Sequence, residues 1–185
     1  CIRTGDGFLV LKDYDNALNF YGQAIAGKAK SADYALFQTG IIKGLLGDNQ
    51  EKVRIMNQLA TAYPRSTYLG GALYEKGDAL LSAGENEQAE TIFNKVIREF
   101  PQSEYAKKSM LKAGLAQYNL KRDDDALATY KQLVKKYPST PESVSALNGI
   151  KNIYVSSGRP QDYFDYVKTV SSDRKSTRLN SSHIP

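Results

Sequence analysis

Tryptophan is absent from this chain, and cysteine and histidine occur once each, as Cys1 and His183. A single cysteine forms no internal disulfide, and one histidine at the far end has no partner for metal binding or for general-base work. A zinc site and a hydrolase triad are therefore excluded, and no cofactor is implied. Apolar runs are also short, far below the ~20 residues that a membrane-spanning helix needs, so direct membrane insertion is not expected. No phosphate-binding loop is present: Gly70-Gly71 lacks a preceding strand and the Lys-Ser/Thr that should follow. Excess charge is scarce too. The net charge is +5, of which +2 comes from Arg174, Lys175 and Arg178 against Asp173 near the end. The remaining +3 is too mild and too dispersed for a nucleic-acid footprint.

What the chain does have is a repeat. Its 185 residues are 41% hydrophobic and 24% charged, the composition of a globular protein. The clearest unit is Ala72 to Pro101. Leu69, Leu73, Gly77 and Leu80 recur at helical spacing, and so do Ala89, Ile92, Phe93, Val96, Ile97 and Phe100. Gly84-Glu85-Asn86 between them combines a helix-ending glycine with residues suited to start the next helix. Pro101 then closes the unit, because proline cannot continue a helix. Shifted by 37 residues, Gly77, Ala89, Phe93 and Pro101 become Gly114, Ala126, Tyr130 and Pro138. Shifted back, Gly40, Met56 and Pro64 appear, and Gly5, Ala17 and Tyr21 precede them at a step of 35. Gly149 extends the column at the far end, again at a step of 35, which puts Gln161 in the place of Ala89. Such a period means stacked helical hairpins, each burying its apolar face against its neighbours.

A glycine mid-way along the first helix, a small residue early in the second, an aromatic one turn on and a closing proline resemble the tetratricopeptide repeat family. The phrases FPQSEYAKKS and YPSTPES are similar to the repeats of bacterial envelope proteins of the Tol–Pal coordinator and outer-membrane assembly lipoprotein type. The resemblance implies an all-α superhelix of about five hairpins, at about 1–30, 31–65, 66–102, 103–139 and 140–171, truncated at both ends. Ser103 is expected to cap the first helix of the fourth hairpin, and Thr140-Pro141-Glu142 to start the fifth. Asp123-Asp124-Asp125 reads as helix-dipole complement rather than a metal site, and the paired lysines as solvated faces. Cys1 could be a lipidated residue, but Ile2–Leu11 already fits the repeat where a flexible tether is expected. From Asp173 the period stops. The segment 173–185 resembles one reading frame of a common sequencing adapter, and a disordered tail left by cloning or assembly is expected there.

The implied function is a non-catalytic scaffold that binds other proteins or peptides, and cell-envelope assembly is the setting that the resemblance suggests. The alternative is a regulatory module of a larger enzyme or transcription regulator. In the resembled family the first helices line the concave surface, which sets their residues in columns one repeat apart. One column reads Phe37, Tyr74, Leu111; the next reads Ile41, Asp78, Leu115; a third reads Gln38, Glu75, Lys112. Relatives that hold acidic chaperone tails carry lysine and asparagine in the first two columns. Here aromatic and aliphatic residues stand instead, with Asp78 among them, so a carboxylate would meet no convergent cations. Tyr34, Phe37, Tyr74 and Leu111 are expected to hold an apolar or amphipathic segment, with Glu75, Asp78 and Lys112 setting its orientation. Packing between neighbouring helices is the competing role, above all for Phe37 and Leu111.

Overall fold

A computed structural model describes the backbone of residues 1–181 and the side chains of residues 1–172. Ten helices and no strands occupy the described residues. They are α1 (Ile2–Val10), α2 (Tyr14–Ala26), α3 (Ala32–Leu45), α4 (Asn49–Ala62), α5 (Leu69–Ser82), α6 (Asn86–Glu99), α7 (Glu104–Asn119), α8 (Asp123–Lys136), α9 (Pro141–Ser156) and α10 (Pro160–Ser181). Each packs on the next, and the apolar interior is divided into clusters strung along the array, as in a solenoid.

The helix ends follow from local chemistry. Asp13, Asp48 and Thr140 cap α2, α4 and α9, each accepting from a backbone N–H three residues on, at 3.2, 3.1 and 3.3 Å. Ser103 precedes α7, but its hydroxyl donates to the Phe100 carbonyl (2.8 Å) and forms no cap bond. The turns inside the hairpins need one residue in the left-handed region. Gly47, Gly84 and Gly158 fill that place at φ of 81°, 82° and 70°, and Lys12 and Lys121 hold the same place at 58° and 61°.

The glycine column proves to be one half of a pairing. A Cβ at Gly5 would lie 2.8 Å from the Tyr21 ring, and one at Gly77 would lie 2.7 Å from the Phe93 ring. Gly40 meets Met56 and Gly114 meets Tyr130 in the same way. In all four the bulky partner comes sixteen residues later, on the second helix of the same hairpin. Gly149 departs from this. Its Cβ would lie 2.6 Å from the far edge of the Tyr130 ring, which belongs to the preceding hairpin. The turn position shows why: it moves from Lys121 to Gly158, a step of 37. The residues of the fifth hairpin that match Gly114, Ala126 and Tyr130 are therefore Lys151, Tyr163 and Val167, and Gln161 does not stand for Ala89.

The helical backbone of α10 crosses Ser172 and runs to Ser181, whereas the loss of the repeat predicts a disordered tail from Asp173. Nothing between those residues, neither proline nor glycine, stops a helix. His183 lies outside the described residues.

Candidate protein-binding groove

Successive first helices touch one another, α3 with α5, α5 with α7 and α7 with α9, whereas successive second helices make no comparable contact. Elements that close up while their partners stay apart lie on the inside of a curve. The first helices therefore line the concave side.

The floor of this groove is aromatic, and it is built by interlocking. Tyr68, at the start of α5, reaches back between two residues of α3. Its ring lies 5.4 Å from that of Tyr34 and 5.5 Å from that of Phe37, stacked on the latter. Tyr105, one repeat on, lies 5.5 Å from Tyr74. It also approaches Gly71, where a Cβ would come within 2.9 Å of the Tyr105 oxygen and 3.1 Å of Phe37. Gly71 occupies the place of Tyr34, so losing that side chain lets Tyr105 lie down beside Phe37 and join the two halves of the ladder. In the next repeat the place of Tyr68 and Tyr105 is held by Glu142, which reaches back to Lys107 at 3.6 Å. The column Tyr68, Tyr105, Glu142 is absent from the predicted set, although its spacing of 37 is present in the sequence.

Charge in the groove is paired. Lys52, 7% exposed, lies over Gly44 and reaches from α4 to Glu75 (2.5 Å) and Asp78 (4.0 Å). Lys112 holds the other oxygen of Asp78 at 2.8 Å. Glu75, Asp78 and Lys112, expected to orient a bound segment, are engaged within the chain: Asp78 pairs with Lys112, and Lys52, which the columns do not include, reaches both Glu75 and Asp78. Burial, and then the nearby Asp78, Glu75 and Glu142, push the Tyr74 phenol up to about 12. Tyr34 is raised by burial and by Asp6.

The remaining predicted residues differ in their surroundings. The Tyr34 hydroxyl donates to Asp6 (2.8 Å), which also accepts from Tyr21 (2.6 Å), so Tyr34 ties the first two hairpins together. Gln38 stands half-buried beside it. Ile41 and Phe37 pack against the cluster of Leu36, Ile55, Met56, Leu59 and Ala72. Leu111 packs against the cluster around Met110 and Tyr130. Leu115 is the most open of the set, 38% exposed. Among the described residues no His, Cys, Asp or Glu cluster could hold a metal ion.

No curated protein matches the chain significantly. Solved structures do, at the level of the fold. MamA residues 41 to the end from Desulfovibrio magneticus RS-1 superposes with a TM-score of 0.74 at 18% identity, over 93% of this chain and 92% of that one. Another MamA structure gives 0.75 at 17% identity, over 100% of this chain and 94% of that one. A tetratricopeptide repeat protein from Parabacteroides merdae gives 0.73 at 15% identity, over 94% and 65%. A tetratricopeptide repeat model matches residues 34–66, and the family model described as outer membrane lipoprotein, YfiO, matches residues 69–175. That second match covers more than half of the sequence, and the chain belongs to the YfiO outer membrane lipoprotein family, built from tetratricopeptide repeats.

Proposed function

We propose that this chain is a non-catalytic scaffold of the bacterial cell envelope that holds a segment of a partner protein along α3, α5 and α7. The observation that carries the reading is the concave ladder itself. Tyr68, Phe37, Tyr105, Tyr74, Leu111 and Leu115 run across three hairpins on or at the start of first helices, half-buried to exposed, with Tyr68 stacked on Phe37 and Tyr105 against Tyr74. A continuous apolar strip rimmed by polar pairs is the anatomy of a peptide-binding surface. The envelope placement rests on the family, whose description is outer membrane lipoprotein. No described helix is long and apolar enough to cross a membrane.

Catalysis has no support from the side chains. A polar cleft of about 340 Å³ lies between the α7–α8 and α9–α10 turns, lined by Lys121, Arg122, Asp123, Asp124, Asp125, Ser157 and Arg159. Its two arginines are engaged in structural pairs, Arg122 with Glu90 and Asp125, Arg159 with Asp162. A photo-crosslinking amino acid placed at Leu115 should give discrete adducts with an envelope protein in intact cells. The same group at Gln132, exposed on α8, should give none. Equal labelling from both positions, or none from Leu115, would overturn the groove.

A further inference from the structure

Resting on the envelope placement, we infer that the α1–α2 and α3–α4 turns form a membrane-facing edge, which lays the array against a zwitterionic phospholipid surface.

Eight large apolar side chains stand exposed among the described residues, and four of them fall on these two turns. Val10 and Leu11, at the end of α1, are 82% and 75% exposed, and Leu45 and Leu46, at the end of α3, are 62% and 52% exposed. The two pairs are equivalent, since each directly precedes the left-handed residue of its turn, Lys12 or Gly47. Each helix packs on the next and the turns inside the hairpins are short, so those turns follow one another along one edge of the array.

A missing repeat does not explain the exposure. The second hairpin has a neighbour on either side, yet its pair is open. The same places in the later turns hold Ser82-Ala83, Asn119-Leu120 and Ser156-Ser157. The repeat itself therefore has no need of two large aliphatic residues there, and a patch of this kind marks a contact with a protein or a membrane.

Shape and residue type select the membrane. Protruding turns offer no pocket, and protein interfaces draw their energy from Trp, Tyr and Arg seated in pockets, with Leu and Val under-represented. Four residues also fall far short of the ~20–30 per side of a stable protein interface. The chain beside them turns polar at once, with Asp13, Asn16, Asp48 and Gln50. A lipid surface needs no matching shape. Aliphatic tips sink into the boundary between headgroups and acyl chains while their polar neighbours stay among the headgroups.

Charge then selects the headgroup. Lys12 and Lys43 are matched by Asp13 and Asp48, and Asp15 adds one further negative charge. An anionic surface gains nothing from that balance, whereas zwitterionic headgroups hold a partner for either sign. Laid this way, the first two hairpins stand upright on the bilayer and the groove opens along its plane.

The test uses the full chain with Cys1→Ser and a polarity-sensitive fluorophore on Leu45→Cys. The matched control carries it on Ser82→Cys, the same place in the third turn. Neutral phosphatidylcholine vesicles should shift the emission from position 45 to the blue, equally at low and high salt, and leave position 82 unchanged. Leu11→Ser with Leu46→Ser, both at exposed sites, should weaken vesicle binding about tenfold while the thermal melt stays in place. No shift at 45, equal shifts at both positions, or a shift only with anionic vesicles would overturn the edge. So would a shift that grows with protein concentration in the absence of vesicles, which would assign the patch to a second copy of the chain. None of these results touches the groove, which stands or falls on the adducts from Leu115.

Discussion

The third and fifth hairpins are cut from the same pattern and close differently. In the third, Gly77 on α5 admits the Phe93 ring, and Ala89, fully buried, lets α6 approach. In the fifth, those three places hold Lys151, Tyr163 and Val167. Lysine at the first admits no ring, and tyrosine at the second keeps the helices apart. The consequence is visible on both sides of α9. Gly149, Ile150 and Tyr154 pack into the cluster around Tyr130, with the preceding hairpin, while Phe164 on α10 stays 58% exposed. α9 therefore packs more extensively on α8 than on α10, its own hairpin partner.

Breaking the third pair should have the largest effect. Gly77→Leu drives a branched side chain into the Phe93 ring, and should cost about 3 kcal/mol or more, read as the fall in a denaturant-unfolding midpoint. An unchanged midpoint would show that the close approach is not needed.

That pair is legible in the amino-acid sequence because both members repeat 37 residues on with a closing proline. The helix ends are legible for the same reason. The fifth hairpin misleads because two glycines, Gly149 and Gly158, offer rival registers, and only the backbone at Gly158 decides between them. Periodicity sets these residues in columns but does not give the roles within them. It says that Tyr34 and Phe37 share a face; it cannot say that Tyr68 from the next helix wedges between them. Lys52 is out of its reach for a similar reason. It sits on a second helix, and only its long side chain, passing over Gly44, delivers its charge to the inner face.

The comparison can be sharpened by rebuilding the missing pair. Lys151→Gly, Tyr163→Ala and Val167→Phe together copy the third hairpin into the fifth. Each single change should be neutral or destabilising, the glycine by ~1 kcal/mol. The triple variant should be more stable than the sum of its parts, with a coupling on the order of 1–2 kcal/mol. Additive losses would show that the fifth hairpin is held open by something other than these three residues.

The most direct measurement is native-state hydrogen exchange, followed by mass spectrometry, on the unmodified chain. If the glycine–ring pairs decide which helices open together, α9 should exchange with α7 and α8, and α10 should open separately and at lower free energy. Protection of α9 and α10 as one unit, equal to that of α5 and α6, would contradict the account.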